Sequence, residues 1–202
     1  LNGSYPIVRP LNMVTLGEPT GVVKAWLDWI LNEEGQAIVM DQGSLSVLGG
    51  GKAETEATET ATSGGTISVA GSTTVQPLAE KLAEVFTAAN PDVKIDVAGG
   101  GSSAGVKAAG DGTADIGNAS REVKDEEKTT YPDIVIFEIA RDGIAVVVHP
   151  EVPIDRLTKD QVRDIFAGNI TNWSEVGGET QPITVISREE GSGTRGAFEE
   201  MV

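Results

Sequence analysis

Apolar positions recur along the chain in two rhythms. In "EPTGVVKAWLDWILNEEGQAIVMDQG" they fall at Val22, Val23, Trp26, Leu27, Ile30 and Leu31, the spacing of one helix face. Thr20 stands where an N-cap belongs, Gly43 where a helix stops, and Gly35 is placed to separate two helical pieces. "VQPLAEKLAEVFTAANP" repeats the rhythm with Leu78, Leu82, Val85 and Phe86, and Asn90-Pro91 ends it. In "LTKDQVRDIFAGNITNW" Thr158 and Gln161 have capping-box spacing, with Gly168 as terminator. Shorter apolar runs predict strands at "TISVAG", "VKIDVAGG", "ADIGNAS" and "ITVIS", and a pair of them in "DIVIFEIARDGIAVVVHP". "YPIVRPLNMVTL" reads as an extended segment with prolines at its edge. Strands alternating with helices predict an α/β fold with a largely parallel sheet.

Both rhythms stop in "GGGKAETEATETATSGGT", residues 49–66, which has no large apolar residue. Such a segment cannot bury enough surface to fold and reads as a flexible tether between residues 1–48 and 67–202. Composition then narrows the function. The 202 residues suffice for one large domain or two lobes of about 100 each. No apolar stretch approaches the ~20 residues that cross a bilayer, and "LNGSYPIVRPL" lacks the pattern of a signal peptide. The absence of cysteine excludes disulfides and thiol catalysis, and a single histidine, His149, argues against a His-based metal site. A formal net charge of −16 argues against nucleic acid, whose backbone needs clustered Lys and Arg; it reads as a device for solubility.

One pattern carries chemistry. A short strand runs into a Gly/Ser/Thr-rich turn that opens directly into a helix, at "ISVAGSTTVQPLAEKL", "IDVAGGGSSAGVKAA" and "ITVISREEGSGTRGAF". Each turn lies at a helix N-terminus, with its unpaired N–H groups and the positive end of the dipole. Each supplies hydroxyls: Ser72, Thr73 and Thr74; Ser102 and Ser103; Ser192 and Thr194. Any one of these turns is adequately explained as ordinary capping. Three of them, with Arg188 four residues before Ser192 to add a bidentate cation, predict a cage for a small anion.

Two rival motifs are weaker. "GSSAG", Gly101 to Gly105, fits G-x-S-x-G and would make Ser103 a hydrolase nucleophile, with His149 as base and Asp115 or Asp142 behind it. In a glycine-rich run that match is unspecific, and His149 reads as the end of a strand. A Walker phosphate loop fails because Val106 stands where that motif needs lysine.

Five segments together resemble the phosphate-binding protein of ABC phosphate-uptake transporters: "ISVAGSTTVQPLAEKLAEVF", "GGGSSAGVKAAGDGTADIGNASRE", "IARDGIAVVVHP", "LTKDQVRDIFAGNITNW" and "SREEGSGTR". The resemblance implies an α/β periplasmic-binding-protein-like fold of two lobes, with inorganic phosphate between them. It implies no catalysis, no cofactor and no metal, and a monomeric, extracytoplasmic receptor that serves the membrane permease of an ABC importer. Carried over by position, the binding residues are Ser72, Thr73, Thr74, Ser102, Ser120, Arg188, Ser192, Gly193 and Thr194.

The chain departs from the family at two places. Some members carry an aspartate after "G-A-S" that accepts the proton of bound hydrogen phosphate; here Ser120 stands there, followed by Arg121. Sulfate has no proton to offer, so selectivity against it rests on whatever replaces that carboxylate, with Glu190 or a backbone carbonyl as candidates. In the family, a segment like residues 5–43 comes at the C-terminal end, so the order here is that of a circular permutation. On this reading residues 1–48 and 67–152 form the first lobe and residues 153–202 part of the second, which the family would continue beyond Val202. The alternative is a scaffold that keeps the lobe and has lost its ligand.

Overall fold

The computed structural model describes residues 7–48 and 64–202, so most of the tether read at 49–66 lies outside the described residues. Its last three residues do not: Gly64 is described, and Gly65 and Thr66 open a strand. Five strands form one sheet. They are β1 (Val8–Leu16), β2 (Gly65–Gly71), β3 (Val93–Gly99), β4 (Ile116–Ala119) and β5 (Ile134–Gly143), in the order β3-β2-β4-β1-β5. β2 pairs in parallel with β3 and β4, while β1 runs antiparallel to both its neighbours, β4 and β5. Four strands therefore share one direction and β1 alone opposes them. Four of five strands running one way agree with the largely parallel sheet that alternation predicted, and the insertion of β1 makes the sheet mixed.

β1 realises the extended segment read with prolines at its edge, and it is internal to the sheet although it carries Pro10. The register reconciles the two. β4 pairs only with Asn12–Val14, so Pro10 lies beyond that stretch and has β5 as its single neighbour. Between Leu11 and Asn12 the β1–β5 register slips by one residue. A bulge of this kind points two successive residues the same way, and Ile139 and Ala140 accordingly both enter the main apolar cluster.

That cluster lies between the sheet and three helices, α1 (Gly21–Ile30), α2 (Glu33–Asp41) and α3 (Gln76–Ala89). It buries Trp26, Leu27 and Ile30 of α1, Val39 of α2, and Leu78, Leu82 and Phe86 of α3, on the faces that the spacing predicts. The break between α1 and α2 falls at Leu31–Asn32, not at Gly35. Asn32 caps α2 by accepting from the Gly35 N–H, so the polar side chain, and not the glycine, interrupts the helix. The other face is covered by α4 (Ser102–Gly110), whose Val106 and Ala109 pack with Val14, Ala119 and Val123. α4 approaches until a Cβ on Gly117 would meet the Gly105 carbonyl oxygen at 2.2 Å. The closing glycine of "GSSAG" is thus explained by packing.

After β5 come α5's successors in the chain order: α5 itself (Asp125–Thr130) precedes β5, and α6 (Lys159–Phe166) and α7 (Gly193–Met201) follow it. α6 carries the predicted capping box between Thr158 and Gln161, and Gly168 follows it at φ +78°. The runs "IAVVV" and "ITVIS" form no ladder, and Val147 and Ile186 are each 84% exposed. β-branched residues express strand propensity only against a neighbouring strand; here the Ile144 N–H donates to the Ile7 carbonyl and the Ile183 N–H to the Thr171 carbonyl, and neither contact extends into a ladder among the described residues.

Candidate functional site

Each of the three turns stands where a strand or loop delivers the chain to a helix N-terminus. Ser72, Thr73 and Thr74 join β2 to α3; Ser102 begins α4; Ser192 is the N-cap of α7, with Gly193 and Thr194 in its first turn. Ser120 follows β4 directly, in the strand next to β2. Parallel pairing of β2 with β3 and β4 brings the ends of all three strands to one edge of the sheet.

The structure brings these residues together. Ser72 Oγ donates to Ser120 Oγ at 2.9 Å, and Ser102 Oγ lies 3.5 Å from Ser120 Oγ while accepting from the Ser120 N–H at 3.0 Å. Ser102 and Ser120 are fully buried, and Ser72 and Ser192 nearly so. α7 sits directly on this pair: a Cβ on Gly193 would meet Ser102 Oγ at 2.1 Å and Ser120 Oγ at 2.5 Å. Only glycine allows that approach. Thr74 and Thr194 close the gap between the first and last turns, their hydroxyls 3.2 Å apart. An open cleft of about 540 Å³ borders the cluster at Thr74, flanked by Pro77, Asp142 and Gly143.

Capping accounts for part of this. Ser72 Oγ accepts from the N–H groups of Thr74 and Val75, and Ser192 Oγ from that of Arg195. It does not account for hydroxyls from four separate chain segments meeting one another, since a cap needs only its own helix.

Arg188 lies at the rim. Its Nη2 donates to Thr73 Oγ1 at 3.1 Å, and its Nε and Nη2 bind the Glu189 carboxylate at 2.9 and 2.7 Å. The guanidinium beside it, helped by a backbone N–H, lowers Glu189 from the ordinary 4.5 to about 2. Glu190, named as a possible proton acceptor, makes no hydrogen bond to the cluster among the described contacts.

The chain also places a second arginine at the cluster, and sequence reasoning missed it. Arg9, on β1, is 4% exposed and donates through Nη1 to Thr194 Oγ1 at 2.7 Å and Ser120 Oγ at 3.4 Å. Nothing in "YPIVRPL" signals this, because the residue lies near the start of a strand and its partners are more than a hundred positions away.

The hydrolase constellation does not assemble. Ser103 Oγ accepts from Arg121, His149 lies exposed with Glu151, Asp115 accepts from Ser68 and Asp142 from Arg9. Arg121 itself is buried and held by Glu127 at 2.8 and 2.7 Å. Among the described residues, no cluster of His, Cys, Asp and Glu could hold a metal ion, and no helix is long and apolar enough to cross a membrane.

Comparison with known proteins follows the same line. A sequence profile of the PBP superfamily domain matches residues 56–202. The phosphate-binding protein PstS 2 of Streptococcus agalactiae is 38% identical over 176 residues, covering 87% of this chain and 58% of that protein. The crystal structure of a phosphate-binding protein of a phosphate ABC transporter from Streptococcus pneumoniae superposes with a TM-score of 0.71 at 36% identity. That match covers 87% of this chain and 65% of the other. A putative phosphate ABC transporter substrate-binding protein from Clostridium perfringens, solved with bound phosphate, matches with a TM-score of 0.59 at 44% identity, over 67% of this chain and 55% of its own. The chain thus spans a little over half the length of such curated relatives.

Proposed function

We propose that this chain, which belongs to the PBP superfamily, binds inorganic phosphate where its three turns converge, as the phosphate-holding part of the solute receptor of an ABC importer. One observation carries the reading: Gly193 is seated on Ser102 and Ser120, so the N-terminus of α7 meets those of α3 and α4 over a shared set of hydroxyls. An oxyanion there is met by the hydroxyls of Ser72, Thr73, Thr74, Ser102, Ser120, Ser192 and Thr194, by helix N–H groups including that of Gly193, and by Arg188. The relatives named above are phosphate-binding proteins, which supports phosphate over other anions.

The energetics are in range. A micromolar affinity corresponds to about 8 kcal/mol, and each charge-assisted hydrogen bond contributes about 1.5–3 kcal/mol. Several such bonds suffice after the cost of ordering the site. The net charge of −16 repels phosphate at long range, so binding comes from these local donors. The role is reception without chemistry. A membrane permease as partner, an extracytoplasmic location and a monomeric state belong to the same proposal.

Calorimetric titration of the chain in phosphate-free buffer tests it. Saturable one-to-one binding of phosphate is expected. Absence of heat in a chain that circular dichroism shows folded sinks the reading and leaves a lobe without its ligand.

A further inference from the structure

The buried end of the hydroxyl cluster is occupied by a cation that the turn motifs do not contain. Arg9 uses one edge of its guanidinium for Asp142, with Nε to Oδ1 at 2.6 Å and Nη2 to Oδ2 at 2.9 Å. The other terminal nitrogen, Nη1, points at Thr194 and Ser120. A planar guanidinium with five donors can satisfy a carboxylate on one edge and still present N–H groups on the next. The pair is well shielded, with side-chain exposures of 5% for Arg9 and 22% for Asp142. Two arginines therefore reach the cluster from opposite sides: Arg188 from the exposed rim, through Thr73, and Arg9 from within, through Thr194 and Ser120. Each is tied to a carboxylate, Glu189 or Asp142, and neither carboxylate hydrogen-bonds to a hydroxyl of the cluster among the described contacts.

We propose that Arg9 is an anion-binding residue of this site and that Asp142 is the positioning residue that aims it. The inference rests on the phosphate reading and adds to it the source of charge at the buried end. The rim cation is partly exposed, so solvent screens it. A buried one keeps its strength, since the surroundings are less polarisable. The Asp142 carboxylate fixes the rotation of the fork, so that Nη1 faces the ligand and not the sheet. Lysine cannot serve both ends, because a single ammonium that pairs with Asp142 has no second planar edge to offer.

The test uses the full chain and phosphate itself. Arg9→Lys preserves charge and a pairing with Asp142, so the fold is expected to survive by circular dichroism while the phosphate dissociation constant rises at least tenfold. Asp142→Asn keeps Arg9 and releases its orientation, and a smaller loss of about threefold or more is expected. A direct readout separates contact from scaffolding: the Arg9 side-chain ¹⁵N resonances of the unmodified chain should shift on addition of phosphate, with the midpoint found by calorimetry. If the unmodified chain binds phosphate and Arg9→Lys binds it equally well, Arg9 is no ligand and the phosphate reading stands. If affinity falls but the Arg9 resonances do not move, its role is structural and the proposal is overturned. A folded, unmodified chain that takes no phosphate overturns both readings.

Discussion

The hydroxyls of Thr74 and Thr194, 120 positions apart in the chain, lie 3.2 Å from one another. This contact joins the first turn of the cage to the last, and so ties α7 to the helix that follows β2. A hydroxyl pair of this kind contributes about 0.5–1.5 kcal/mol net. A double-mutant cycle of Thr74→Val and Thr194→Val should return a coupling of about 1 kcal/mol in urea unfolding. Each single variant should also weaken phosphate binding, because each removes a donor. Strict additivity in stability would mean that the two turns are merely neighbours.

Arg188 is the rim cation, and its ion pair with Glu189 is exposed. Exposed pairs contribute about 0–1 kcal/mol to stability, so Arg188→Ala should leave the unfolding midpoint almost unmoved. Its phosphate dissociation constant should nonetheless rise at least tenfold. Thr73→Val, which removes the hydroxyl that receives Arg188, should weaken binding in the same direction with the fold intact. An unchanged titration curve for Arg188→Ala removes that residue from the site.

The three turns were legible because each announces itself locally, with a short apolar run, small polar residues and then helical spacing. Capping signals at Thr158, Gln161 and Gly168 were equally local and are realised in α6. What the sequence hid is non-local. Arg9 lies in a strand whose partners are set by where β1 enters the sheet, and no turn or cap marks it. The direction of β1 was hidden for the same reason, since periodicity fixes which residues share a face and not which strand lies alongside. The runs around Val147 and Ile186 show the converse: their composition is that of strands, but propensity without a neighbour makes no ladder.

Glu189 offers a check by pH. Its carboxyl is lowered from 4.5 to about 2, first by the Arg188 guanidinium. A group whose folded value is depressed gives its stabilisation in full above the unfolded value and loses it as pH falls through the folded one. The stabilisation from the Arg188–Glu189 pair should therefore be present in full at pH 5 and be lost progressively between about pH 4.5 and pH 2, with the pair itself breaking only as pH reaches about 2. Carboxyl ¹³C shifts of Glu189 should titrate with a midpoint near 2, and Arg188→Ala should return that midpoint toward 4.5. A midpoint near 4.5 in the unmodified chain would mean that the guanidinium is not held against Glu189 in solution.

Arg121 supports the site from beneath. It is 1% exposed, binds Glu127 through two short hydrogen bonds, reaches Ser103 at the start of α4 and donates to the Glu122 carbonyl. α7 passes close above it, where a Cβ on Gly196 would lie 3.2 Å from Arg121 Cδ. Removing one member of a buried ion pair strands the other, at a cost of about 3–5 kcal/mol. Glu127 keeps some contact with water and also accepts from the Lys124 N–H, so the loss for Arg121→Met should fall at the lower end, about 3 kcal/mol. Removing both charges, in Arg121→Met with Glu127→Leu, should recover most of that loss, because no carboxylate is then left without its partner. Urea midpoints of the two variants separate the possibilities. If the double variant is as unstable as the single one, the damage comes from lost packing beneath α4 and α7 and not from an unpaired charge.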